Sequence, residues 1–141
     1  MKHLWSILCS KSIIDANTNS ISIMDCLEEL RINVPEDKKN DKLLLPIEYE
    51  IVSFWLNENN NKDNNFFLKI DLYDPNEKKL GEFVNLFTFP KDKKRLRTRI
   101  ITKGLPFTKE GIYTFVVMLK EKRNKPYTEI ISLPLDVYIN K

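Results

Sequence analysis

The 141-residue chain is poor in the residues that usually mark an active site or a metal site. It contains one histidine, two cysteines and three glycines. It has no G-x-S-x-G nucleophile motif, no glycine-rich phosphate loop and no cysteine–histidine cluster, so no motif-based enzyme or metal class is indicated. No apolar run approaches the ~20 residues that a membrane-spanning helix requires. We therefore predict no catalytic residues, no cofactor, no metal site and no membrane segment.

The N-terminal stretch also lacks the features of an export signal. Its apolar part, residues 4–9, is short and is interrupted by Ser6, and no small-residue cleavage site follows it. We therefore expect a cytoplasmic protein.

The two cysteines, Cys9 and Cys26, have a spacing that matches no metal or redox motif. Both lie in apolar, strand-like segments, so we interpret them as small buried side chains. A disulfide between them is geometrically possible if the first two strands face each other.

The most informative segment is the stretch over residues 109–121. After Gly111 it has eight consecutive uncharged residues, rich in β-branched and aromatic side chains, and charged residues close both ends. A run of this kind between turn signals is typical of a strand covered on both faces. We therefore place it in the middle of a sheet, with the other strands arranged around it.

Alternating apolar residues and turn formers predict extended chain elsewhere as well. A change of parity within residues 20–32 indicates a bulge near Met24–Asp25, or alternatively a helical turn over residues 25–30. The asparagine-rich segment 57–65 is interpreted as a mobile, solvated loop. The eight predicted strands cover residues 3–10, 20–32, 43–56, 66–73, 80–89, 95–103, 112–119 and 127–139.

This pattern predicts an all-β protein that forms a single domain over residues 1–141, an antiparallel sandwich of about eight strands. A barrel is the competing architecture. Only three glycines occur, which leaves few sharp corners for a barrel, so the sandwich is favoured.

The segment from Gly111 to Phe115 resembles the start of strand F in immunoglobulin-like domains. In that strand a tyrosine, two positions before a cysteine, caps a corner with its hydroxyl group. Tyr113 stands at the tyrosine position and Phe115 at the cysteine position. The resemblance therefore implies an immunoglobulin-like sandwich without the inter-sheet disulfide, in which Trp55 is the core tryptophan of strand C.

Several short phrases also resemble a family of small uncharacterised bacterial proteins. They are WSILC and IIDANTNSISIMDCLEEL near the start, and LPF, EGIYTFVV and ISLPLDV near the end. The resemblance covers most of the chain and implies an immunoglobulin-like β-sandwich in the cytoplasm, with no known activity. It supplies no functional residues.

The remaining candidates for chemistry have simpler structural interpretations. His3 is the only histidine and has no obvious partner near the chain end. Glu48 and Glu50 share one side of a predicted strand, which fits a solvated outer face at least as well as a catalytic carboxylate pair. The acids within residues 71–77 do not match the spacing of a calcium loop and fit a turn.

The one distinctive feature of the sequence that bears on function is a concentration of positive charge. Residues 91–103 contain seven basic side chains and one acidic side chain, whereas the net charge of the whole chain is +3. Three arginines at alternate positions should project from one face of one strand, and the arginine fork suits phosphate or carboxylate recognition. The predicted interaction face comprises Lys93, Lys94, Arg95, Arg97, Arg99 and Lys103. Exposed aromatic residues such as Tyr73 or Tyr138 would add stacking if they lie nearby.

Three interpretations of this face are open. The arginines could pair with glutamates of a neighbouring strand, or discourage pairing at a sheet edge, and so be structural. They could bind a protein with an acidic surface, and a non-enzymatic, cytoplasmic protein-interaction module is the function we predict. They could instead bind nucleic acid or another polyanion, but the isoelectric point of about 8.8 is below that of most such domains. A separate alternative for the whole protein is an enzyme that has no recognisable motif and whose site is assembled from scattered residues.

Overall fold

The chain forms two packed β-sheets in the computed structural model, which describes residues 1–38, 42–58 and 64–140. A short 3₁₀ turn at Glu36–Lys38 interrupts an otherwise extended chain. The all-β prediction is confirmed, and the two sheets agree with a β-sandwich. The strands in the described residues are β1 Lys2–Ile14, β2 Ile21–Cys26, β3 Glu29–Ile32, β4 Leu43–Leu56, β5 Asn64–Tyr73, β6 Lys79–Phe89, β7 Arg95–Phe107, β8 Gly111–Lys120 and β9 Thr128–Ile139.

The strand order is β2-β1-β4-β7 in the four-stranded sheet and β3-β9-β8-β5-β6 in the five-stranded sheet. Neighbouring strands are antiparallel, with the exception of β3 and β9, which are parallel. Strands β5 and β6 form a hairpin, with a register that runs from Asn64 opposite Phe89 to Tyr73 opposite Lys79.

The prediction of one strand over residues 20–32 is wrong, because the chain changes sheet within this segment. The first half is β2, which pairs with β1, and the second half is β3, which pairs with β9. Between them the Leu27 amide donates to the Leu8 carbonyl, and the Glu28 carbonyl accepts from the Asp136 amide. The change of parity marks this crossing, since Leu30 packs on the core from the opposite sheet.

Neither local feature predicted for this segment forms. No helical turn occurs over residues 25–30, and the β1–β2 register passes Met24 without a shift. The backbone is nevertheless irregular at the predicted place, since Asp25 has a φ of 53°, in the left-handed region, just before the chain leaves the sheet. Aspartate tolerates this conformation better than most residues do.

Strand β8 is the middle strand of the five-stranded sheet, as predicted. Tyr113, Phe115 and Val117 are fully buried between the sheets. The prediction that both faces are covered is correct only in part: on the other face Val116 is buried, but Ile112 is 54% exposed. An antiparallel sheet commonly has one face on the core and one in water, which explains the difference.

Trp55 is fully buried in the core, but it lies on β4. Its indole Nε1 donates to the Thr98 hydroxyl at 3.0 Å, which satisfies its one polar atom. Strands C and F of an immunoglobulin domain belong to the same sheet, whereas Trp55 and Tyr113 are in opposite sheets. The interpretation of Trp55 as the tryptophan of strand C is therefore wrong.

The hydroxyl of Tyr113 closes the corner before β8. It donates to the Lys109 carbonyl at 2.8 Å and accepts from the Thr108 amide at 2.9 Å and the Lys109 amide at 3.2 Å. Gly111 completes the corner with a φ of 139°, and a Cβ there would lie 2.8 Å from the Pro75 side chain. The hydrogen bond expected of a corner tyrosine is present.

The predicted loop over residues 57–65 lies partly outside the described residues, which omit residues 59–63. Of its ends, Asn57 is buried and Asn64 begins β5. In the described part of the chain, no helix is long and apolar enough to cross a membrane.

We expect Tyr113→Phe to lower the free energy of unfolding by about 1–3 kcal/mol, because two backbone amides and one carbonyl lose their partner. Urea denaturation followed by tryptophan fluorescence measures the change. Tyr138→Phe is the control. The contact of Tyr138 with Arg31 is made by its ring, whose centroid lies 5.7 Å from the guanidinium carbon, and phenylalanine keeps that ring. An equal effect of the two substitutions would contradict a special role for the Tyr113 hydroxyl.

Candidate interaction site

The arginines of β7 project from the outer face of the four-stranded sheet, as their alternation predicts. Thr98 and Ile100, at the intervening positions, are buried on the inner face. Strand β4 lies between β7 and β1, so side chains of all three strands form rows across the face. From one end of the sheet, the rows are Lys2, Leu56 and Arg95, then Trp5, Phe54 and Arg97, then Ile7, Val52 and Arg99.

Arg99 is paired with a buried acid. Its Nε lies 3.1 Å from Oε1 of Glu50, which is only 4% exposed. The amide and the hydroxyl of Ser12 also donate to the Glu50 carboxylate, at 3.0 and 2.6 Å. Burial acts to raise the pKa of Glu50, but the hydrogen bonds from Ser12 and Arg99 outweigh it and hold the pKa below its usual value.

The buried Glu50 overturns the expectation of two solvated outer carboxylates. Glu48 is exposed, whereas Glu50 is buried and is contacted by Ser12 of the β1–β2 hairpin. Arg99 donates to the Ser12 carbonyl, and Arg97 donates to the Asn19 carbonyl in the turn of the hairpin. For Arg99, the structural interpretation is therefore correct.

A groove of about 550 Å³ lies between the hairpin and the sheet. Its aromatic part is Trp5 beside Phe54, with ring centroids 5.4 Å apart. Three cations line it, and no acid does among the described residues. We call this the basic groove, and its lining residues are Trp5, Ile14, Asn19, Ile21, Phe54, Pro90, Lys93, Arg95, Leu96 and Arg97.

The predicted interaction face is therefore divided. Lys93, Arg95 and Arg97 line the basic groove, whereas Arg99 is held by Glu50. Lys94 is exposed outside the lining. The last member of the predicted face, at position 103, is eight residues along β7 from Arg95 and thus about 26 Å away.

The aromatic residues of the groove are absent from the sequence prediction, which considered Tyr73 and Tyr138 as stacking partners. Those two tyrosines are on β5 and β9, in the other sheet. Trp5 and Phe54 become neighbours of Arg97 only through the pairing of β1, β4 and β7. Period-two alternation would place each on an outer face, but no local signal shows which strands adjoin.

His3 contacts the core rather than a cleft. Its Nε2 lies 2.8 Å from the Ser6 hydroxyl, and its ring centroid is 5.1 Å from that of Trp55. The Ser6 hydroxyl is also 2.7 Å from that of Ser53. Ser6 is only 8% exposed, so a substrate would not reach its Oγ, and the arrangement favours a packing role.

The acids within residues 71–77 take part in a turn and in ion pairs. The Asp74 carboxylate accepts from the amides of Asn76 and Lys78, at 2.8 and 2.9 Å. Asp71 lies 3.5 Å from the Lys69 ammonium, in the sheet. Across the described ranges, no three histidine, cysteine or acidic side chains are grouped to hold a metal ion.

The two cysteines are directly opposite each other in the β1–β2 pair, and both are free thiols. Cys9 is buried as predicted, but Cys26 is exposed, so that part of the prediction is wrong. Burial, with a smaller contribution from the negative charge of Glu50, raises the pKa of Cys9 to about 11.

Comparison with known proteins adds no assignment. No protein-family model matches the chain, and no curated protein matches it. The resemblance to a bacterial family stays a prediction, and the function has to be argued from the site itself.

We expect the Glu50 carboxylate to stabilise the fold above the pKa of an unfolded glutamate, about 4.3. Since its folded pKa is lower, this contribution is lost as the pH falls through the folded value. Urea unfolding at a series of pH values should thus show a shallower loss of stability below pH 5 for Glu50→Gln than for the native chain. Glu28→Gln, at an exposed acid, is the control, and identical slopes for the two variants would contradict this role.

We expect iodoacetamide at pH 8 to alkylate Cys26 and spare Cys9. The Cys9 thiol is fully buried and becomes a thiolate only as the pH approaches about 11. Intact mass spectrometry should show one adduct on the native chain, two in denaturant, and none on native Cys26→Ser. Two adducts on the native chain would contradict the burial of Cys9.

Proposed function

We propose that the protein is a non-enzymatic interaction module whose basic groove binds an acidic, extended segment of another protein. One observation carries the proposal: the described residues that line the groove include three cations and no acid. Unlike Arg99, the lining arginines have no carboxylate partner in the described part of the chain, so their donors suit the carboxylates of a ligand.

The groove also supports a ligand with apolar side chains. Trp5 and Phe54 form an aromatic surface, and Ile14 and Ile21 of the hairpin line the same space. Buried aromatic residues and arginines are the residue types that dominate binding energy at protein interfaces. An extended segment could place acids against the cations and apolar side chains against the rings, because successive side chains alternate in direction.

The composition of the lining favours binding over catalysis. Its polar side-chain groups are the amide of Asn19, the indole of Trp5 and the three cations, and none is a histidine, serine, cysteine or acid. Nucleophilic and acid–base catalysis most often depend on those residue types, and among the described lining residues only Lys93 is of a type that also takes part in such catalysis.

The proposal is compatible with an immunoglobulin-like architecture, which we also propose. In that fold, strands G, F and C are neighbours in one sheet, and B and E are neighbours in the other. Supporting observations are the order β9-β8-β5, the pairing of β4 with β7, and the corner formed by Tyr113. The parallel β3–β9 pair and the β1–β2 hairpin are additions to this scheme. Immunoglobulin-like domains often serve recognition, although that link is only an analogy of fold.

Nucleic acid is the second candidate ligand, because aromatic rings beside cations suit stacked single-stranded bases. The positive charge does not continue as a track along the sheet, however. Lys103, the next predicted cation on β7, lies opposite Glu48. A ligand with few charges therefore fits the groove better than a long polyanion.

Fluorescence anisotropy with three labelled probes tests the proposal. The probes are a peptide of alternating glutamate and leucine, its glutamine–leucine counterpart, and oligodeoxythymidine. We expect the acidic peptide to bind, and Arg95→Glu/Arg97→Glu to weaken its binding about ten-fold or more, since charged hydrogen bonds contribute about 1.5–3 kcal/mol each.

The control is Lys38→Glu/Lys125→Glu, which makes the same change in net charge at exposed positions outside the groove. It should retain the native affinity. Tighter binding of oligodeoxythymidine, with a steep dependence on salt, would replace the proposal by the nucleic-acid alternative. No binding of any probe, or an equal effect of both variants, would refute it.

A further inference from the structure

Of the four strands at the sheet edges, three carry features that discourage pairing with another chain. On β7 these are the outward arginines, Pro106, and Gly104 with a φ of 91°. The other two, β2 and β3, are only six and four residues long. Charge, proline, irregular backbone and short length are the usual means by which proteins protect such edges.

The fourth edge strand, β6, has little such protection. It is eleven residues long, and its stretch from Phe83 to Phe89 contains no charged residue, proline or glycine. It pairs with β5 on one side, and no described strand pairs with it on the other. At every second residue the backbone amide and carbonyl therefore point away from β5, along the plane of the sheet. These groups are free to form hydrogen bonds with another strand.

The side chains of this edge are also apolar. Val84 is 48% exposed and Leu86 is 55% exposed, and both lie on the outer face of the sheet. Phe83 and Phe87 lie on the inner face of the same strand and are half-buried at the margin of the core. An added strand would cover the first pair and complete the burial of the second.

We infer that β6 pairs antiparallel with β6 of a second copy of this chain, which joins two five-stranded sheets edge to edge. A second copy is the occupant that the charges favour, because two stretches without charge meet without repulsion, and residues 83–89 themselves offer no counter-charge to a charged partner segment. A two-fold axis at Asn85 brings Val84 opposite Leu86 of the other copy, and Phe83 opposite Phe87.

This register also avoids like charges. The only charged residue within residues 81–89 is Glu82, and it falls opposite Thr88 of the other copy. The contact is isologous, so it closes at two copies and leaves no free β6 edge for a third. It uses a different sheet from the basic groove and does not depend on the proposed function.

Sedimentation velocity on the full chain, across a wide range of concentrations, tests the dimer. We expect a monomer–dimer equilibrium, and we expect Val84→Lys to raise its dissociation constant roughly ten-fold or more, since it sets a charge among apolar side chains. Ile112→Lys is the matched control, because Ile112 is similarly exposed on the same sheet but lies on its central strand. It should leave the dimer intact.

Hydrogen exchange on the native chain provides a measurement that needs no variant. Amides within residues 83–89 should gain protection as concentration rises, whereas those of the β7 edge should not. A monomer at every concentration would overturn the inference. So would open-ended aggregates, a dimer equally sensitive to both lysine substitutions, or concentration-dependent protection located elsewhere.

Discussion

The contact between Glu50 and Arg99 is the interaction on which the outer face of the four-stranded sheet depends. It joins β4 to β7, and through Ser12 it holds the β1–β2 hairpin over the sheet. A buried carboxylate is stable only when its charge is paired and hydrogen-bonded, so the arginine and the serine are both required. The basic groove exists because the hairpin is fixed in this position beside Arg95 and Arg97.

Because of this contact, three arginines that look equivalent in the sequence have different surroundings in the structure. Arg99 donates hydrogen bonds to Glu50 and to the Ser12 carbonyl. Arg95 and Arg97 instead line the basic groove, which has no acid among its described lining residues. The outer face thus presents a short cationic site next to Trp5 and Phe54. Affinity at such a site comes from the combination of charge and apolar contact, which a simple excess of lysines would not provide.

Period-two alternation predicted what is local to each strand: the extended segments and the outward direction of the arginines. It did not predict which strands are neighbours, because pairing is decided by contacts distant in sequence. Trp5 and Phe54 meet across β1 and β4, and Glu50 is contacted by Ser12 of the β1–β2 hairpin. The prediction of a single strand over residues 20–32 failed for a related reason. A change of parity in the sequence looks the same for a bulge within one strand and for a crossing between two sheets.

The parallel pair of β3 and β9 has a mechanical consequence. β3 comes early in the chain and β9 ends near Asn140, with Glu29 opposite Asp136 and Ile32 opposite Ile139. Tension that reached β3 from its leading end and β9 from its trailing end would slide the two strands past each other. The hydrogen bonds between β3 and β9 would then resist the force together and would not break one after another. This short parallel ladder would therefore raise the force needed to separate the two strands.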